Sequence, residues 1–127
     1  MSPTIREATH ADVAAFFKKR DLDAPTFRGW VGELDGRVIG IGGLARLGNG
    51  RWFAFLDLAD EARPFKMTLM RQAKRTLEEA RQMGIRYVYA EMNTAERNAE
   101  EWLTRLGFEL DPRSQYLFRF QVPHLKP

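Results

Sequence analysis

The sequence predicts an α+β domain: a mixed, mostly antiparallel sheet with one parallel βαβ unit at its centre and helices on both faces. Three observations lead there. Segments with strand and with helix periodicity follow one another in the order β-α-β-β-β-α-β-α-β-β. Asp35-Gly36 stands between two apolar runs, a strong two-residue hairpin signal. From Arg51 to Met92 a strand, a long helix and a strand come in direct succession, which requires a crossover and so a parallel pair. The 127 residues suit one domain, 1–127, and 44% apolar residues supply its core.

Ile5 to Ala8 reads as the first strand. In "THADVAAFFKKR" Thr9 is the N-cap, Asp12 lies three residues on, and Val13, Phe16 and Phe17 form an apolar helix face. Asp21 to Pro25 is a turn-rich connection. "TFRGWVGELDGRVIGIGGLARL" is the hairpin. Gly40, Gly42 and Gly43 in its return strand imply a bulge or a close backbone approach, since glycine weakens a strand otherwise.

Gly48-Asn49-Gly50 is a second turn, and "RWFAFLDL" a central strand, apolar on both faces from Phe53 to Leu56 as in a buried strand. A long helix is expected from Pro64 to Met83, with Met67, Met70, Ala73, Leu77 and Ala80 on its inner face. Pro64 suits the first turn, where a missing N–H costs least, and Gly84 ends the helix. "IRYVYAEM" is a strand rich in β-branched and aromatic residues. "AERNAEEWLTRLG" is a helix with Ala99, Trp102, Leu103 and Leu106 inward, closed by Gly107. "FELD" and "QYLFRFQV" are end strands joined by a turn at Asp111-Pro112.

Composition removes several chemistries. Cysteine is absent, so thiolate catalysis and disulfides are out. Two histidines, His10 and His124, do not make a histidine-rich metal site, and no metal is expected. No run is long and apolar enough for a membrane span, and "MSPTIREATHADV" does not read as a secretion signal, so a cytoplasmic protein is expected. A net charge of +3 favours anionic ligands only mildly. Arg71, Lys74, Arg75 and Arg81 are interleaved with Glu78 and Glu79 and lack an aromatic platform, so nucleic acid is not the expected partner.

The order of elements, with "TIREATHADV", "VGELDGRVIGIGGL" and "NAEEWLTRLGFE" in sequence, resembles the GNAT superfamily of N-acetyltransferases over nearly the whole chain. The short length and "WLTRLGF" are similar to small GNAT-like proteins of phages and prophages. The resemblance implies an acyl-CoA-dependent N-acyltransferase that moves acetyl from acetyl-CoA to an amine. The pantetheine arm would lie where the fourth and fifth strands splay, with the pyrophosphate at the start of the long helix. A helix N-terminus favours an anion there through its free N–H groups and its dipole. Carried onto this chain, the cofactor contacts implied are Leu58, Arg63, Phe65, Lys66, Met67, Thr68 and Asn98.

Two departures set up an alternative, a catalytically inactive GNAT-like binding or structural protein related to those of phages. The family's loop R/Q-x-x-G-x-G/A lets the backbone close on phosphate oxygens. "EARPFKMTLM" has no glycine: Lys66 and Thr68, or Met67 and Leu69 one register on, stand in its place. Pro64 removes a donor, Phe65 and Met67 would crowd a phosphate unless turned away, and Asp60 and Glu61 can cap the helix with no ligand at all. Secondly, the family's late-helix tyrosine, which protonates the leaving thiolate, falls on Leu103, beside Trp102; Tyr116, Tyr87 and Tyr89 are the possible substitutes. For a general base, Asp57 lies at the apolar end of the fourth strand, where a buried carboxylate would have a raised pKa, and it is favoured over Glu33 and Glu91 because it lies closest to the expected splay. The oxyanion would meet a backbone N–H near Leu58. Exposed edge strands make a homodimer plausible.

Overall fold

The computed structural model describes residues 2–18, 26–47, 50–91, 99–112 and 117–123, without the side chains at 91, 99, 100 and 102. Seven strands form one sheet: β1 (Thr4–Glu7), β2 (Thr26–Leu34), β3 (Arg37–Arg46), β4 (Trp52–Leu58), β5 (Tyr87–Glu91), β6 (Glu109–Leu110) and β7 (Leu117–Gln121). Their order is β1-β2-β3-β4-β5-β7-β6, antiparallel throughout except for β4 and β5. The helices are α1 (His10–Lys18), α2 (Lys66–Gln82) and α3 (Ala99–Leu106). The expected α+β architecture and the central parallel pair are both present. The Asp21–Pro25 connection and Gly48-Asn49 lie outside the described residues.

Local chemistry fixes the element ends. At α1 the Thr9 hydroxyl accepts from the Asp12 N–H at 3.2 Å while the Thr9 N–H donates to the Asp12 carboxylate at 2.8 Å, a reciprocal capping box. Arg6 of β1 donates to the same carboxylate at 2.8 Å and also to Glu33 of β2, tying strand edge and helix start together. Asp35 and Gly36 both have positive φ, 53° and 77°, the backbone of a type I′ hairpin turn. Helices α2 and α3 end alike. Gly84 (φ 76°) donates to Arg81 and Ile85 to Ala80; Gly107 (φ 98°) donates to Thr104 and Phe108 to Leu103. Each is a Schellman cap with a left-handed glycine, followed by an apolar residue that enters the core.

The glycines of β3 serve close approach. A Cβ at Gly43 would stand 2.3 Å from the Arg28 carbonyl oxygen and 2.6 Å from the Gly29 Cα. One at Gly42 would stand 2.6 Å from the Trp30 ring, which lies across it. The expected bulge is there too. Gly32 pairs with Gly40 but Glu33 with Val38, so Ile39 is an extra residue, and it is buried.

Two faces follow from strand alternation. On one, Val13, Phe16 and Phe17 of α1 pack on Val31, Ile41 and Ala45, with Phe27 and Phe55 at the margin. On the other, α2 and α3 share a cluster in which Leu77 and Ala80 meet Leu44, Val88, Ala90 and Phe118, flanked by Leu103 and Leu106. A third cluster joins Trp30, Ile39, Ala62 and Leu69 under the start of α2. Each large side chain buried here contributes roughly 1.5–3 kcal/mol.

Three expectations need correcting. The long helix does not begin at Pro64: a 3-10 turn, Asp60–Phe65, precedes it, and α2 starts at Lys66. Its inner face is Leu69, Met70, Thr76, Leu77 and Ala80, whereas Met67 is 60% exposed. At 100° per residue Met67 points well away from the stripe centred on Ala73. Finally, β4 is half-buried to exposed rather than buried on both faces. Among the described residues, most of it lacks a strand neighbour on the β5 side.

Gly43→Ala is expected to cost about 1–3 kcal/mol or more, since its new neighbours are backbone and cannot swing aside; urea unfolding at unchanged m-value measures it. The Arg6 guanidinium, with help from Thr9, holds the Asp12 carboxyl well below the usual carboxylate range. The stabilisation this gives is complete above about pH 4 and is lost as pH falls below that, through the folded-state value. Asp12→Asn should therefore lower stability at neutral pH and flatten the decline between about pH 4 and pH 2, read from urea midpoints across that range.

Candidate functional site

The site begins as a defect in the sheet. β5 pairs with β7 along its whole length, Tyr87 to Glu91. β4 pairs with β3 along its whole length, Trp52 to Leu58. Between them only Trp52 with Val88 and Phe53 with Tyr89 are in register. Beyond that the two strands part: among the described residues, which on the β5 side end at Glu91, Ala54 to Leu58 have no pairing with β5.

The backbone at this gap can be oriented from one bond. The Ala59 N–H donates to the Ile39 carbonyl on β3 at 2.9 Å. Alternation then directs the N–H and C=O of Asp57 and Phe55 towards β3, and those of Leu56 and Leu58 towards the β5 side. The gap is thus edged by strand backbone that can receive an extended polar chain. It opens at the carboxyl ends of two parallel strands, where α/β sheets commonly bind ligands.

Next to it is the 3-10 turn. Ala62 is buried and its N–H donates to the Ala59 carbonyl at 2.9 Å. The Lys66 N–H donates to the Arg63 carbonyl, and Pro64 has none to give. No side chain caps the turn at Ala59 or the helix at Phe65. Asp60 and Glu61 lie in the first turn, where carboxylates suit the dipole. Glu61 meets Arg37 at 2.8 Å and Asp60 meets Arg63 at 4.0 Å; all four are exposed, so these pairs are weak.

Phe65, expected to crowd a phosphate, is turned away: it packs with Leu58 against the Trp30, Ile39, Ala62 and Leu69 cluster. Lys66 and Thr68 are half-buried, and Met67 projects outward. Leu58 thus ends β4, Arg63 and Phe65 lie in the 3-10 turn after it, and Lys66, Met67 and Thr68 open α2. Asn98 lies outside the described residues.

The candidate bases separate. Asp57 is on the α1 face and exposed, so the burial that favoured it is missing. The cause is the gap, which leaves the end of β4 open to water. Glu33 is engaged by Arg6. The side chain of Glu91 lies outside the described set, as do Tyr116 and the side chain of Trp102. Leu103, in the place of the proton-donating tyrosine, packs against the α2–α3 cluster.

Sequence reading missed two arginines. Arg51 stands 5.0 Å above the Tyr89 ring, which also meets Phe53 at 5.8 Å, and Arg119 stands 4.9 Å above the Tyr87 ring. Arg119 between Phe118 and Phe120 in "LFRFQ" marks it as facing away from the buried face, but its ring partner depends on the β5–β7 register. Among the described residues no three His, Asp or Glu are placed to hold a metal ion, and no helix is long and apolar enough to cross a membrane.

Neither a protein-family model nor a curated protein matches the chain. Solved structures do. A GNAT-family acetyltransferase of Staphylococcus aureus matches with a TM-score of 0.69 at 11% identity, over 96% of this chain and 100% of that one. The phosphinothricin acetyltransferase of Sinorhizobium meliloti, solved with acetyl-CoA, matches at 0.69 and 17%, over 96% and 89%. The Salmonella typhimurium protein yncA, solved with acetyl-CoA, matches at 0.67 and 16%, over 100% and 98%. The fold is that of the GNAT acetyltransferases.

The opposed placement of two neighbours can be tested by stability alone. Phe65→Ala should cost about 1–3 kcal/mol, because the ring covers an apolar cluster, whereas Met67→Ala should stay within about 0.5 kcal/mol. Equal losses in urea melts of the two variants would refute the assigned helix face.

Proposed function

We propose that the chain is an acyl-CoA-dependent N-acyltransferase that transfers acetyl from acetyl-CoA to an amine. The observation that carries this is the parting of β4 and β5 after two residue pairs, with the backbone of Leu56 and Leu58 turned into the gap. A pantetheine arm with its two amides is an extended polar chain of the kind such an edge accepts. The acetyl-CoA in the two neighbouring structures supports the same reading.

In this reading the Leu58 N–H faces the thioester carbonyl and stabilises the negative charge that develops on its oxygen. The neutral amine nitrogen attacks the carbonyl carbon, the C–S bond breaks, and the thiolate leaves. Asp57 takes the proton released from nitrogen through a water, which its exposed carboxylate can reach. Holding donor and amine together in one orientation supplies much of the rate without a tyrosine at position 103.

A second reading has a specific observation behind it. The glycine-free 3-10 turn and Leu103 in the tyrosine's place suit a GNAT-like protein that binds without turnover. Thiol release in the presence of acetyl-CoA and a panel of primary amines separates the two. We expect release above the uncatalysed rate, lowered about 100-fold by Asp57→Asn with stability unchanged. A melting temperature raised by acetyl-CoA with no release for any amine would favour the silent binder.

A further inference from the structure

The two ends of the proposed donor site differ in kind. The strand end is open. Among the described residues, which on the β5 side end at Glu91, Ala54 to Leu58 run without a β5 partner, a length of roughly 16 Å, with alternate backbone groups directed into the gap. The helix end is closed. An anion cradle needs several free N–H groups that converge, backbone that can be approached closely, and no carboxylate in the same place. The turn Asp60–Phe65 meets these conditions poorly. Two of its N–H groups are already used or missing, at Ala62 and Pro64, and the N–H of Lys66, first in α2, is spent on Arg63. There is no glycine from Asp57 to Arg75. Asp60 and Glu61 place their own carboxylates at the start of the turn. Arg63 and Arg37, the cations nearest those acids, lie against them at 4.0 and 2.8 Å, so the acids offset part of the positive charge there.

We propose that this site takes its donor by the pantetheine thioester arm and not by the pyrophosphate and adenosine end. The inference rests on the acyl-transfer reading above and narrows its substrate class. The donor is any acetyl thioester on a pantetheine arm, whether the arm is part of free CoA or is attached to a carrier protein. The strand edge recognises the arm's two amides, which all these donors share. The nucleotide end, which only CoA has, meets a hydrogen-bonded turn with two acids.

The experiment compares three donors with the full chain: acetyl-CoA, acetylpantetheine without phosphate, and an acetylated carrier protein. Affinity is read by calorimetry, and kcat/KM by product formation with one amine. Affinities for acetyl-CoA and acetylpantetheine within about threefold of each other are expected, where a gripped pyrophosphate gives a gap of several tens. The affinity for acetyl-CoA should also change less than about twofold between low and high salt, since a phosphate contact would be screened. An advantage for acetyl-CoA over acetylpantetheine of about thirtyfold or more overturns the inference and leaves the acyl-transfer reading standing. If none of the three donors binds, that reading falls and the inference with it. With CoA and pantetheine equal, the carrier-protein arm identifies the source: a higher kcat/KM there assigns the donor to a carrier protein, and an equal or lower one assigns it to free thioesters.

Discussion

Everything at the site depends on one mismatch of pairing. β3 holds β4 over its full length and β7 holds β5 over its full length, so each strand obeys its antiparallel partner. The parallel contact between them is the weaker bond and is kept for only two residue pairs. The right-handed twist that each half of the sheet accumulates then separates the strands. The gap is therefore a product of strong pairing on either side of it. The exposure of Asp57 and the half-burial of β4 follow from that separation, which also leaves the backbone of Leu58 facing the gap.

α2 keeps the halves from drifting apart. Its first buried residue, Leu69, belongs to the cluster under β2 and β3, and its later ones, Leu77 and Ala80, to the cluster under β5 and β7. The helix lies across the division and is anchored on both sides. The 3-10 turn in front of it fixes its start through Ala62 and Phe65, so the end of the gap is walled by apolar packing. A glycine loop in that place would lack both anchors.

What was legible in the sequence was what local chemistry decides. The capping box at Thr9, the Asp35-Gly36 turn and the glycine caps at Gly84 and Gly107 each involve a few consecutive residues and a known backbone need. The parallel pair followed from connection length. What was not legible needed pairing between distant segments. "FAFLDL" looks like a buried strand because nothing local says that its pairing with β5, about thirty residues on, will stop after two residue pairs. Met67 fits the helical spacing of Met70 and yet faces outward, because the position of the stripe is set by Leu69 meeting the Trp30 cluster. The stacking of Arg51 and Arg119 on tyrosines depends on the same long-range register. Of the candidate site, the strand-to-helix junction and its lack of glycine were readable; the 3-10 turn that occupies it was not.

The backbone of Leu56 and Leu58, turned to the side on which β5 has already parted from β4, has a topological meaning. Among the described residues the sheet has seven strands, and its hydrogen-bond pattern leaves room for part of an eighth, wedged between the fourth and fifth. The molecule reserves a position in its own secondary structure for a chain that is not its own. Whatever fills it finishes the sheet on arrival and reopens it on leaving. Ligand exchange at this place is in that sense a small act of folding and unfolding.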